Sequence, residues 1–419
     1  MNGNAESALR ATDMDGTAGA PESMTAQRGA LRDASRRRRV CSVAYTHYRS
    51  DPRVRREAEA LAARGDEVTV VGLARDGEPR EQVIAGVRVV SLPVERYRGS
   101  GPRQYLLSYG AFFLRATWLL SRHPKRFDVV HVHSIPEAMV FAAVVPRLAG
   151  AKVVLDVHDL SSEAYASRFG RTPRAVALAE KLALRYADAV VTVHDRYREM
   201  IGERGIDVGK VTVVHNTPDE RLFPMTQPAA RQEGRFRAVY HGALLHRYGL
   251  EVAVRAMVKL RDRVPGISFD IYGDGDFRAD LERLIAELDL HDTVHLSPGP
   301  VPLDEIGQTV AGADVGLVPF LPERFTETIL PTKLLEYVRL GVPAVVARNS
   351  VIERYFDDDD VSFVAPGSID ELADAIERVS GDAEGAVAGA RRAQRFFNRF
   401  SWERDRERFY EMIDEVSTR

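Results

Sequence analysis

Short β-branched runs alternate with amphipathic stretches from Val40 almost to the C-terminus, and this alternation constrains the fold more than any other feature. Runs at Val40–Tyr45, Val68–Gly72, Val87–Ser91, Val129–Val132, Val153–Val157, Ala189–Val193 and Val211–Val214 read as strands. They are apolar on both faces, as a sheet covered by helices on both sides requires. Arg53–Ala63, Glu137–Leu148 and Arg174–Tyr186 carry a helical period between them. The order predicts a parallel, doubly wound sheet. A break follows at Asn216–Gly234, where Pro218, Pro224 and Pro228 stand among polar neighbours. The pattern then restarts with strand Phe236–His241, helix Leu250–Arg263 and strand Ser268–Tyr272, and runs on to helix Ala386–Asn398. A last amphipathic helix, Trp402–Val416, follows Ser401 as its N-cap.

At 419 residues the chain is too long for one ordinary core. It divides into a disordered tail (1–39), a first α/β domain (40–220), a linker (221–235), a second α/β domain (236–398) and a C-terminal helix (399–419). Its formal net charge of -3 lacks the basic excess of a general nucleic-acid binder, so no nucleic-acid partner is expected. The one cysteine, Cys41, excludes an internal disulfide framework and fits a reducing compartment. With no membrane-length apolar run and no signal-peptide core, the expected location is cytoplasmic. Arg36–Arg39 closes the tail either as a solvated charge run or as a contact to an anionic membrane.

Ligands of open α/β sheets bind outside the carboxyl ends of the strands, so residues that follow strands matter most. After strand Phe236–His241 come Gly242 and, just before a helix, Arg247, a turn suited to phosphate or to an ordinary strand-to-helix connection. Gly273 and Gly275 form a second glycine turn without the third glycine of a dinucleotide fingerprint, which argues against an NAD or FAD enzyme. Pro331 and Thr332 open a helix whose first N–H groups are free for an anion. Lys333 lies in that first turn, where a cation is unfavourable unless an anion is nearby. Glu336, one turn on, can accept hydrogen bonds from vicinal hydroxyls. In the first half, His158 ends a strand, with Asp159 placed to orient its imidazole. Of His131 and His133, His133 is read as the cleft-facing one. No metal-ligand spacing stands out, and Asp357–Asp360 reads as a solvated acidic run.

Together these segments resemble family 4 of the retaining glycosyltransferases, which have the GT-B fold. The resemblance runs from Val40 to the C-terminus. It rests on Asp51–Leu61, the DVVHVH of Asp128–His133, the LDVHD of Leu155–Asp159, Ala187–Thr192, Val214–Pro218, the ADVGLVP of Ala313–Pro319 and the PTKLLEY of Pro331–Tyr337. It implies two Rossmann-like doubly wound domains facing each other across a cleft, with the C-terminal helix packed back on the N-terminal domain. The implied donor is a nucleoside diphosphate sugar, bound by Gly242, Arg247, Gly273, Gly275, Thr332, Lys333, Leu334 and Glu336, with Ser297–Val301 beside the base. His158, Asp159, Arg247 and Lys333 are the implied catalytic groups, and His47, Arg53 and His133 lie on the acceptor side. No cofactor or metal is expected. The acceptor is a glycan, a lipid-linked sugar or a small molecule. The chain departs from the family where Thr328 replaces the first Glu of Glu-x7-Glu, and where Ala243 and Tyr248 replace an Arg and a Lys.

Two rival readings share this architecture: a sugar-nucleotide epimerase and a catalytically silent scaffold. Finally, Arg103–Arg122 is richer in apolar and aromatic residues than a covering helix needs. Arg96, Arg98, Arg103, Arg115, Arg122, Lys125 and Arg126 lie within or beside it. Either this helix packs wholly on the sheet or it docks peripherally on an anionic membrane at its inner face.

Overall fold

The structure, a computed structural model, describes residues 37–95, 97, 102–227 and 234–418. The tail expected at 1–39 falls mostly outside them, as do Arg96, Arg98 and Pro228. Two of its last residues depart from the expectation of a solvated run. Arg38 is buried, its backbone N–H donating to the Asp66 carboxylate (2.9 Å) and its guanidinium 3.5 Å from Asp414, and Arg39 opens the first strand with its guanidinium on Asp128 (2.7 Å). Neutralised in this way, both belong to the domain.

The first half contains β1 (Arg39–Val43), α1 (Pro52–Arg64), β2 (Glu67–Leu73), β3 (Glu81–Ile84), β4 (Val87–Leu92), α2 (Pro102–Arg122), β5 (Val129–His133), α3 (Val144–Leu148), β6 (Lys152–Val157), α4 (Ser161–Phe169), α5 (Arg174–Tyr186), β7 (Ala189–Thr192), α6 (Asp195–Glu203) and β8 (Val211–Val213). Local chemistry sets the helix ends. Asp51 caps α1 by accepting the Val54 N–H at 3.1 Å, Pro52 takes the first helical position, and Gly65 ends the helix at φ 106°. The sheet order is β3-β4-β2-β1-β5-β6-β7-β8, parallel throughout except for β3, which pairs antiparallel with β4.

The second half contains β9 (Phe236–His241), α7 (Leu250–Leu260), β10 (Ile267–Tyr272), α8 (Arg278–Glu287), β11 (Val294–Leu296), α9 (Leu303–Val310), β12 (Val315–Val318), α10 (Thr332–Arg339), β13 (Ala344–Ala347), β14 (Ser362–Val364), α11 (Ile369–Gly381), α12 (Ala383–Ala393), α13 (Phe396–Arg399) and α14 (Trp402–Thr418). Its six strands run β11-β10-β9-β12-β13-β14, all parallel. Each sheet reverses its winding once, between β1 and β5 and between β9 and β12, which places a crevice at the carboxyl ends of those pairs.

α14 returns to the first sheet. Phe409 and Ile413 are fully buried among Val40, Val129 and Val154, and burying two such side chains stabilises the return by about 1.5–3 kcal/mol each. The Tyr410 hydroxyl donates to the Ala60 carbonyl (2.8 Å). Two expected helices take a different form. Glu137–Ala143 is a 3-10 turn leading into the short α3, and Ala386–Asn398 divides between α12 and α13. Among the described residues no helix is long and apolar enough to cross a membrane.

Candidate active site

One cavity of about 440 Å³ lies between the carboxyl ends of the two sheets. From the second half its wall takes His241, Gly242 and Ala243 after β9, Tyr248, and Pro331, Thr332, Lys333 and Glu336 at the start of α10. From the first half it takes His158 and Asp159 after β6, His194 and Tyr197 at α6, and Asn216 in the connection. The structure thus gathers six of the site residues read from the sequence: His158, Asp159, Gly242, Thr332, Lys333 and Glu336.

Lys333 is the central cation. Its ammonium stands 3.8 Å from the Tyr240 ring centroid and 4.8 Å from that of Tyr248. Burial pushes its pKa down to about 7, against the pull of Glu336. Glu336 mirrors it: burial pushes the carboxyl up to about 7, with Lys333 opposing. His241 Nε2 lies 3.1 Å from the Glu336 carboxylate, and burial, with the Lys333 charge, brings its pKa down to about 3. The N-terminus of α10 has no side-chain cap, so the N–H groups of its first turn remain available to an anion in the cavity. An ammonium group, a helix N-terminus and a buried carboxylate therefore share one wall.

The other residues that the sequence reading placed at the donor stand behind that wall. Leu334 is fully buried in the core. Arg247 is drawn across toward α4, donating to Ser167 Oγ (3.5 Å) with its guanidinium 4.6 Å from the Phe325 ring centroid. Gly273 and Gly275 do not line the cavity. A Cβ at Gly273 would lie 1.9 Å from the Gly242 carbonyl oxygen, and one at Gly275 would lie 2.3 Å from that of Leu244. Their smallness lets the 273–277 turn zip onto 242–244, where Leu244 N–H donates to Asp274 O (3.0 Å) and Phe277 N–H to Leu244 O (3.0 Å).

The first-half wall corrects several sequence expectations. His158 is oriented by Asp156, not Asp159: Nε2 lies 3.3 Å from the Asp156 carboxylate and 3.1 Å from His133 Nδ1. Asp159 accepts instead from the Tyr197 hydroxyl (3.4 Å), and burial raises its pKa. His133 is buried beneath the sheet edge, 3.2 Å from Asp156, and does not face the cleft. His131, two residues earlier, points to the same side of the strand, as a period of two dictates, and its ring lies 4.3 Å from that of His133. Arg53 does not line the cavity either. It is 2 % exposed and donates from Nε and Nη2 to Asp156 (2.9 Å each) and from Nη1 to the Val214 carbonyl (2.9 Å). His47, half-buried at the 3-10 turn after β1, lies outside the cavity wall.

This arrangement is a charge network. Burial works against the Asp156 carboxylate, but the charges of Arg53 and His158 together with hydrogen bonds from His133 and His158 outweigh it and hold the pKa well below the usual range. Burial also works against the His158 imidazolium, and the Asp156 charge and hydrogen bond reverse that, so its pKa is raised. Glu57, His131, His133 and Asp156 bring ligand atoms within 4.8 Å of one another, a metal-like grouping that their sequence spacing does not reveal. Arg53 already serves both carboxylates, at 3.3 Å from Glu57 and 2.9 Å from Asp156, and a divalent ion beside it would meet that guanidinium charge at close range. The same helix holds the interdomain connection: Arg56 donates to the carbonyls of Thr217 and His215, while His215 is gripped by Asp405 of α14 (3.1 Å). Asn216, between them, is thereby fixed in the wall.

His194, Tyr197, Asn216, His241 and Tyr248 escape the sequence reading as site residues. For His194 and Asn216 the signal available was position, since His194 directly follows the run Ala189–Val193 and Asn216 follows Val211–Val214 after the single residue His215.

Comparison with known proteins bears on the family and the fold. The family model described as "Glycosyl transferase 4-like domain" matches residues 50–217, and that described as "Glycosyl transferases group 1" matches 225–395. The chain is 27% identical to the 2-deoxystreptamine glucosyltransferase of Streptomyces kanamyceticus over 360 residues, covering 80% of this chain and 90% of that one. Among solved structures it is similar to sucrose-phosphate synthase from Thermosynechococcus elongatus, with TM-score 0.76, 18% identity and coverage of 91% and 100% of the two chains. It is also similar to HepE of Anabaena in complex with UDP-glucose, with TM-score 0.67, 15% identity and coverage of 90% and 99%.

Proposed function

The chain belongs to glycosyltransferase family 4 and has the GT-B fold, and on that premise we propose that it moves a sugar from a nucleoside diphosphate sugar to a hydroxyl acceptor with retention at the anomeric carbon. The observation that carries this reading is the shared wall of Lys333, Glu336 and the uncapped α10 N-terminus, facing His158 across about 440 Å³. As the bond between the anomeric carbon and the diphosphate oxygen breaks, negative charge collects on the diphosphate. Lys333 and the α10 N–H groups stabilise it there, where low dielectric strengthens the interaction. Arg247 adds a positive charge from behind the wall. Glu336 accepts hydrogen bonds from the ribose hydroxyls. The acceptor oxygen forms the new bond to the anomeric carbon and passes its proton to the His158 imidazole, while the diphosphate leaves with the bonding electron pair and Asp159 faces the reacting sugar.

HepE of Anabaena holds UDP-glucose in its solved complex, and the Streptomyces relative is named for an aminocyclitol acceptor. The first supports a nucleotide-sugar donor here, and the second supports a small-molecule acceptor beside a glycan or lipid-linked one. Lys333 and the helix terminus supply the positive charge that a divalent metal would otherwise provide. The test is nucleoside diphosphate release from a panel of nucleotide sugars, with and without aminocyclitol and glycan acceptors. Release that rises with acceptor and yields a glycosylated product supports transfer. Donor conversion independent of any acceptor points to the epimerase reading, and no turnover of any donor points to the silent scaffold.

A further inference from the structure

The described residues leave eleven large apolar side chains exposed, and eight of them lie on three helices of the first half. These helices are neighbours: the segment from Glu137 through α3 contacts α2, and its 3-10 part contacts α5. Each shows helical spacing. On α2, Leu107, Leu114 and Trp118 are 72%, 67% and 61% exposed and align with Arg103 and Arg122 at the two ends of one stripe. Val144 and Leu148 repeat the i, i+4 spacing on α3, and Leu178 and Leu182 repeat it on α5. Helices that pack wholly on their sheet do not present aligned apolar stripes to solvent, and patches of this kind mark interaction surfaces.

The charges beside the stripes have one sign. α2 carries Arg103, Arg115 and Arg122 and no Asp or Glu, and α3 carries none either. α5 carries Arg174, Lys181 and Arg185, and its one acid, Glu180, is buried, paired with Arg204 (2.7 Å) and accepting the Ser162 N–H. The Arg122 guanidinium lies 4.9 Å from the Trp118 ring centroid, a basic and aromatic pair suited to a headgroup boundary. An isologous contact with a second copy would set these like charges against each other.

We propose that α2, α3 and α5 together form a docking face for an anionic bilayer, with the apolar stripes entering the headgroup boundary and the basic residues meeting anionic lipid. The face is broader than the single α2 helix that the sequence suggested. Because it belongs to the half that carries His158, docking would bring the cleft to a membrane-borne hydroxyl acceptor. That consequence rests on the transferase reading; the docking itself does not.

The test uses the full chain and vesicles of phosphatidylcholine alone or mixed with phosphatidylglycerol. Sedimentation with the mixed vesicles at low ionic strength, and release above about 0.1 M salt, is expected from screening of surface charge. Trp118 is one of two tryptophans in the sequence, and Trp402 is stacked under Arg56, so a blue shift of emission on the mixed vesicles reports Trp118. Replacing Arg174, Lys181 and Arg185 together by Gln should lower vesicle partitioning about 100-fold, at about 1 kcal/mol per basic residue near the surface. Leu178→Ser with Leu182→Ser should lower it at least about tenfold. Thermal unfolding of both variants, together with nucleoside diphosphate binding, controls for folding. Absence of sedimentation with phosphatidylglycerol vesicles at low salt overturns the proposal. So does wild-type partitioning by both α5 variants, which would confine the contact to α2. Self-association abolished by the leucine variants, without vesicle binding, would also overturn it and assign the face to a second copy.

Discussion

His158 Nε2, in the residue that directly follows β6, stands 3.3 Å from the carboxylate of Asp156, two residues earlier in that strand. Side chains at i and i+2 share a face, so the strand itself delivers the imidazole to its partner. β5 brings His133 directly opposite Asp156 in register, and α1 sends Arg53 beneath both. The cavity-facing histidine is thus held by a buried anion that is itself held by a buried cation.

Asp156→Asn keeps the size and an acceptor oxygen but removes the charge. Its expected cost is on the order of 100-fold in kcat, at the lower end of what a positioned acid–base group contributes, with a smaller change in donor KM. The sign on His158 follows from the pair. The Asp156 charge favours imidazolium, so its removal should lower the His158 pKa and move the acidic limb of the pH–rate profile to lower pH. An NMR titration of the imidazole checks the same shift without reference to activity. A wild-type titration curve in the variant would remove Asp156 from this role.

If Lys333 and Arg247 stabilise the departing diphosphate, Lys333→Ala and Arg247→Ala should reduce kcat by about 10–1000-fold, beyond what weaker donor binding explains. Steady-state kinetics separate the two effects, since a change confined to KM would mean ground-state binding alone. Activity should also persist in EDTA. Restoration only by added Mg²⁺ or Mn²⁺ would contradict the assignment of the charge to Lys333.

Lys333, with burial bringing its pKa down to about 7, is mostly uncharged at pH 8 without a bound anion. A bound diphosphate favours the ammonium and raises that pKa. Binding between the two pKa values therefore takes up a proton, and donor affinity falls as pH rises above about 7. Calorimetry in buffers of different ionisation enthalpy reads the uptake directly. Lys333→Arg, charged throughout this range, should abolish both the uptake and this part of the pH dependence.

Gly275 tests the scaffold rather than the chemistry. A Cβ there would lie 2.3 Å from the Leu244 carbonyl oxygen, so Gly275→Ala must part the 242–244 and 273–277 segments. The expected loss is roughly 1–3 kcal/mol of stability, in the range of overpacking elsewhere, accompanied by weaker nucleotide binding through Gly242. Denaturant unfolding measures the first and titration the second.

The sheet pattern was legible because fully buried parallel strands must be apolar on both faces and end in chemically distinct residues. The cavity wall at α10 was legible for a related reason: Pro331, Lys333 and Glu336 are local to one helix start, so their proximity is set by local spacing. β3 was not legible, because Glu81–Ile84 is an edge strand with alternating exposure and takes its register from β4. The role of Arg53 was hidden because its partners are 103 and 161 residues away. A charged residue in the apolar run Val153–Val157 was the available signal for Asp156. His241 was concealed as the last residue of a buried strand, whose approach to Glu336 depends on how β9 and α10 pack.

The central claim is that a nucleoside diphosphate binds against Lys333 and Glu336, and titration of uridine, adenosine, guanosine and thymidine diphosphates into the wild type and into Glu336→Ala tests it most directly. At least one nucleotide should bind the wild type, and the variant, folded by thermal unfolding, should bind it at least about tenfold more weakly, as expected for a lost hydrogen bond to a charged group. Wild-type affinity in Glu336→Ala, or no binding of any of the four to the wild type, would contradict the account.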